Sequence, residues 1–202
     1  MFDQVLWFAA RGAGIVSLLL ATTVVCLGLL TAARWERPGW PRFLTVEVHR
    51  SVALLSVVFV GLHVVTAVLD PYASLGLAAA IVPLASAYRP VPVALGIVSV
   101  DLVIAVIVTS LLRDRIGVRL WRTVHWLAYG AWPLAVLHSL TAGSDAFAPW
   151  MLALTAGCVA AVGVALMLRV VMGRSTRDGL AEVVATPSMP GRAHHGAGGT
   201  ER

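Results

Sequence analysis

The chain has 202 residues, of which 59% are hydrophobic and only 12% charged, with a formal net charge of +5. Soluble domains carry about 45–50% apolar and about 25% charged residues, so this balance excludes an ordinary soluble domain and marks an integral membrane protein. The positive charge does not point to nucleic acid: all 15 basic residues are arginine, and they cluster between apolar runs as membrane flanks do.

Runs of about 20 apolar residues are long enough to cross a bilayer as helices. The first is Gly12–Ala33, extended upstream by Val5–Ala10. Only Arg11 precedes it, and it is longer than the apolar core of a secretory signal, so no cleavable signal peptide is expected. A second run, Phe43–Leu69, is closed by the turn signal Asp70-Pro71. The apolar stretch Leu75–Ser86 is broken by Pro83 and too short to cross; it is expected to lie along the interface or cap the bundle. Val91–Leu112, interrupted only by Asp101, is the third span, Val118–Leu140 the fourth and Pro149–Met172 the fifth. The fold class expected is therefore all-α, a polytopic membrane bundle of about five transmembrane helices occupying residues 1–172. Residues 173–202 turn to Gly, Ser, Thr, Pro and charge and are expected to be a disordered cytoplasmic tail, with His194 and His195 solvated in it. Cys26 and Cys158 each fall inside an apolar helix, where thiols act as small hydrophobes.

Arginine placement predicts orientation. One side of the membrane receives Arg34, Arg37, Arg42, Arg50, Arg113, Arg115, Arg119, Arg122, Arg169, Arg174 and Arg177, whereas the other receives Arg11 and Arg89. The arginine-rich side is expected to be cytoplasmic, which puts the N-terminus outside and the C-terminus in the cytoplasm.

Four histidines interrupt this apolar pattern: His49 and His63 in the second span, His125 and His138 in the fourth. Imidazole is costly in hydrocarbon and asks for a functional partner. The two pairs are spaced by 14 and 13 residues, which at ~1.5 Å per residue separates the rings by roughly 20 Å along each helix. Both spans run in the same direction, so the depths match: His49 with His125 towards the cytoplasm, His63 with His138 towards the outside. A flat iron macrocycle accepts one imidazole from each face, and two haems with paired histidine ligands fit this arrangement best. Zinc would want four ligands within one small sphere, and a proton relay does not require two depth-matched pairs. On a straight helix a 13-residue interval leaves two side chains about 140° apart. Pro133 lies between His125 and His138, and a bend there is expected to re-aim the second ring.

These spacings resemble the ferric reductase-like transmembrane domain, a superfamily that includes NADPH oxidases, ferric reductases and the membrane cytochrome partner of periplasmic methionine-sulfoxide reductase. The segments Val48-His49-Arg50, Gly61-Leu62-His63 and Arg122-Thr123-Val124-His125-Trp126-Leu127-Ala128-Tyr129 look like its haem helices, and Asp70-Pro71-Tyr72 looks like its bacterial stand-alone members. The resemblance implies a bacterial plasma-membrane protein with two b-type haems, moving electrons from the cytoplasmic to the outer side. No glycine-rich phosphate-binding motif follows the fifth span, so no flavin or NADPH site is expected here. The implied donor is a separate cytoplasmic reductase or a quinol, and the acceptor an outer-side redox protein or ferric iron. The chain would be the membrane cytochrome component of an oxidoreductase system. Two other readings stay open at this point: a cytochrome b anchor of a quinone-linked dehydrogenase, and a non-redox transport or assembly subunit.

Haem propionates need cationic or hydrogen-bonding partners near the interface. Arg50, Arg119 and Arg122 lie at the level of the inner pair, and Arg89 with Tyr72 and Tyr88 at that of the outer pair. Gly61 and Gly130 are candidates for opening space beside the rings. Asp101, the only carboxylate deep in a span, is expected to anchor a neighbouring helix, with coupling of proton uptake to electron transfer or a hydrogen bond to a ligand histidine as the alternatives. Trp121, Trp126 and Trp132 are expected to anchor and pack the fourth span.

Overall fold

A computed structural model describes residues 2–33, 41–71, 75–143 and 145–185, which form helices and turns with no strand among them. Helix α1 spans Phe2–Ala32, α2 Arg42–Leu69, α3 Pro90–Leu111, α4 Arg113–Ile116, α5 Val118–His125, α6 Ala128–Ala142 and α7 Pro149–Ala185, with a short 3-10 turn at Leu77–Ala80. The stretches Gln4–Ala32, Phe43–Leu69, Pro90–Leu111 and Pro149–Gly173 are each long and apolar enough to cross a membrane. A helix satisfies its backbone donors and acceptors internally, which hydrocarbon demands. The hydroxyls follow the same rule. Ser17 donates to the Ala13 carbonyl, Thr22 to Leu18 and Thr66 to Leu62, each at 2.7 Å. The chain is a multi-pass membrane protein.

Punctuation falls where the sequence supplies it. Pro90 and Pro149 open α3 and α7, and Gly117, with φ of 80°, separates α4 from α5. Arg89 caps α3 in the left-handed region at φ of 40°, and its guanidinium donates to the Thr141 carbonyl at 2.8 Å.

The fourth predicted span is not one helix. Its hydrogen bonds tighten just after His125: Leu127 N–H donates to the Val124 carbonyl at 2.9 Å, Tyr129 to Trp126 at 3.1 Å and Gly130 to Leu127 at 2.9 Å. Such i→i−3 winding turns each residue about 120° instead of about 100°, so three steps recover roughly 60° of the mismatch in the 13-residue interval. The bend expected at Pro133 thus sits upstream of it. The proline lies within α6, and its ring crowds the carbonyl four residues back, Tyr129, beside the tightened turn. At the other end, α7 continues to Ala185, past the expected start of the tail; no proline occurs between Pro149 and Pro187 to stop it. His194, His195, Arg34, Arg37 and Tyr72 lie outside the described residues.

Helix α1 is the centre of the bundle. It packs along α2 on one side and against α6 and α7 on the other, and α3 packs on α6. Leu18 of α1 meets Val136 of α6 and Cys158 of α7; one level away, Val25 and Leu29 meet Ala165. Trp132 touches both clusters, and its Nε1–H donates to Thr22 Oγ1 at 3.0 Å. Arg11 forms an ion pair with Asp145, fixing α1 to the loop before α7. By contrast, α2 and α6 do not pack closely on one another. The histidines lie between them.

Candidate functional site

The structure brings the four histidines together in the pairs the depth argument gives. The His49 and His125 ring centres are 6.4 Å apart with planes inclined at 58°, and those of His63 and His138 are 6.2 Å apart at 73°. These rings do not stack. Two metal–imidazole bonds of about 2 Å, with the ring radii added, span roughly 6 Å, so each pair is spaced to hold one metal atom between two nitrogens. Among the described residues no group of three or more His, Cys, Asp or Glu converges as a metal centre. A metal held by either pair would find two imidazoles there and would have to bring its remaining ligands with it, as a macrocycle does.

Each ring's other nitrogen has its own environment. His63 Nδ1 lies 2.8 Å from the Ala10 carbonyl on α1, His49 Nδ1 3.1 Å from Val24 on α1, and His138 Nδ1 2.8 Å from Pro92 on α3. A carbonyl oxygen can only accept, so Nδ1 donates and Nε2 keeps its lone pair for a metal. The fourth ring differs. His125 Nδ1 is buried with no hydrogen-bond partner. Its ring centre lies 5.0 Å from that of Trp121 with the planes inclined at 36°, and Trp121 Nε1–H donates to Ser110 Oγ at 3.1 Å.

The close approach of His63 and His138 to their carbonyls depends on glycines that sequence reasoning missed, and His49 faces a third glycine with more room. A Cβ on Gly14 would stand 3.0 Å from the His63 ring, one on Gly28 3.5 Å from His49, and one on Gly96 2.8 Å from His138. Gly61 and Gly130, the candidates from sequence, do not adjoin the rings: nothing lies within 4 Å of the first, and Leu102 is the neighbour of the second. A signal was present. Gly14 and Gly28 repeat the 14-residue interval of His49 and His63, as two antiparallel helices in register require.

Of the other candidates, Arg50, Arg119 and Arg122 are exposed towards the His49–His125 end, Arg122 one turn before His125. Arg89, at the His63–His138 end, is engaged with Thr141 and lies over the Tyr88 ring. Asp101 is exposed on α3, so it is not the interior anchor or ligand partner expected. Trp126 packs beside Tyr129 and under the Arg169 guanidinium, and Trp132 belongs to the core between α1 and α6. Both cysteines are free thiols, with Cys158 buried.

Comparison with curated proteins and with solved structures gives no match. A family model described as ferric reductase like transmembrane component matches residues 13–136. That stretch contains His49, His63 and His125 and ends two residues before His138. It covers more than half of the chain, and with the helical bundle around it this establishes that the protein belongs to the ferric reductase-like transmembrane family.

Proposed function

We propose that the chain carries electrons across the membrane through two b-type haems, one held by His49 and His125 and the other by His63 and His138. The observation that carries this reading is the spacing of the two ring pairs, 6.4 and 6.2 Å, at matched depths on α2 and on the α5–α6 segment. Haem bound from both faces supplies single-electron chemistry and offers no open iron position to a substrate.

The protein's own residues do the rest. The Ala10, Val24 and Pro92 carbonyls hold three imidazoles in the tautomer that leaves Nε2 as donor. Helix α1 spaces α2 from α6. Arg50 and Arg122 supply positive charge for propionates at the inner level, and Arg89 supplies it at the outer one. The arginine-rich end faces the cytoplasm, where a separate reductase or a quinol delivers electrons. An outer-side redox protein or ferric iron receives them.

A dithionite-reduced-minus-oxidised spectrum of purified membranes tests this reading. Sharp b-type bands, with two haems per chain, are expected. Their absence from correctly inserted protein rejects the proposal.

A further inference from the structure

The three partnered histidines share one local pattern. Each Nδ1 donates to the carbonyl four residues before the glycine that faces the same ring: Ala10 and Gly14 for His63, Val24 and Gly28 for His49, Pro92 and Gly96 for His138. In a helix, the carbonyl at position i−4 is the one that the N–H of residue i already bonds. A carbonyl oxygen has a second lone pair, but a Cβ at position i stands over the approach to it. Glycine removes that Cβ. An imidazole from the neighbouring helix can then lie in the gap and reach the spare lone pair.

We propose that Gly14 and Gly96 are positioning residues, each forming a notch that seats one ligand histidine against a backbone acceptor and fixes its Nδ1–H tautomer, whereas Gly28 keeps the same register with room for a Cβ. The pattern occurs three times, on two different helices and against two different histidine-bearing segments. Packing of small residues alone would not place the hydrogen bond at the same i−4 carbonyl each time. The proposal rests on the haem reading, in which the fixed tautomer presents Nε2 to the metal.

The clearances differ, and so do the expected effects. At Gly96 a Cβ would meet ring atoms of His138 at 2.8 Å, and at Gly14 those of His63 at 3.0 Å. In both cases the ring must shift and its 2.8 Å hydrogen bond must lengthen or break. At Gly28 the nearest ring atom is 3.5 Å away, an ordinary contact. Gly12, with nothing within 4 Å, is the control for placing alanine in α1.

The test uses the full-length protein purified with its haems, carrying Gly96→Ala, Gly14→Ala, Gly28→Ala or Gly12→Ala. The readouts are haem per chain, the rate of haem transfer to apomyoglobin, the low-spin electron paramagnetic resonance signal and the midpoint potential. Gly96→Ala and Gly14→Ala should speed release of the outer haem by about 10–100-fold, the usual effect of losing a partner behind a metal ligand. They should also move that haem's resonance and raise its potential, because an imidazole that loses its acceptor is a weaker donor to ferric iron. Gly28→Ala and Gly12→Ala should stay close to wild type. Gly96→Ala should leave the content and midpoint potential of the haem at His49 and His125 unchanged, which general packing damage would not do. Gly14→Ala tests the same haem should Gly96→Ala fail to assemble. If the wild type binds two haems and both variants keep the outer one with unchanged release, resonance and potential, the notch proposal is overturned. A wild type without haem overturns the functional reading instead.

Discussion

Replacing His138 with alanine should empty the outer site and leave the inner one loaded. The two levels are separated by 13 or 14 residues of helix, roughly 20 Å at ~1.5 Å per residue. Perturbations more than about 7–10 Å apart, with no shared partner, add to within about 0.5 kcal/mol, which is roughly a twofold change in affinity at the distant site. At its own site His138→Ala removes the proposed ligand nitrogen together with the 2.8 Å bond to the Pro92 carbonyl. Loss of such a second partner alone costs about 10–100-fold, so loss of the ligand itself must exceed that. The two sites should therefore differ by at least tenfold in retention. Haem per chain, measured on detergent-purified protein beside the reduced-minus-oxidised spectrum, should fall by half, with one spectral component gone. His63→Ala should give the same result, and the double variant should be no worse than either single one. Equal loss of both components from a protein that remains helical and monodisperse would refute pairing by depth.

Leu29 is 2% exposed where α1 meets α7; Leu29→Ala should destabilise the bundle by about 2–5 kcal/mol in detergent unfolding, and a cost below about 1 kcal/mol would mean that this cluster does not hold the helices. Trp132→Phe keeps most of the packing but removes the donor to Thr22, so about 0.6 kcal/mol, the average for such bonds in membranes, should be lost in the same measurement. A reporter active only in the cytoplasm should report when fused at the C-terminus and stay silent at the N-terminus; the reverse would overturn the orientation read from the arginines.

The histidines were the legible part of the site. Imidazoles stand out against hydrocarbon, and their 14- and 13-residue intervals carry depth directly, so the structure's pairing of His49 with His125 and His63 with His138 follows from counting. The bundle itself was legible for a similar reason, since uncharged length is what a bilayer selects. The break after His125 was not. Pro133 marked a disturbance, but which turn tightens depends on how α6 packs against α3 and α1, and the sequence does not encode that locally. The glycine notches went unread because a missing side chain carries no chemistry until the neighbouring helix is placed against it. Asp101 misled in the opposite sense: a carboxylate in a span suggests an interior partner, yet its side chain is exposed.

The acceptors for His49, His63 and His138 all belong to the main chain. No amino-acid exchange at Ala10, Val24 or Pro92 can abolish a peptide oxygen, so scanning mutagenesis of those three positions would record little and suggest that they are inert. For His63 and His138 vulnerability is displaced one helical turn, onto Gly14 and Gly96, which possess no side chain at all. His125 lacks even this insurance, and of the four imidazoles it alone must rely on its aromatic neighbour Trp121 for company.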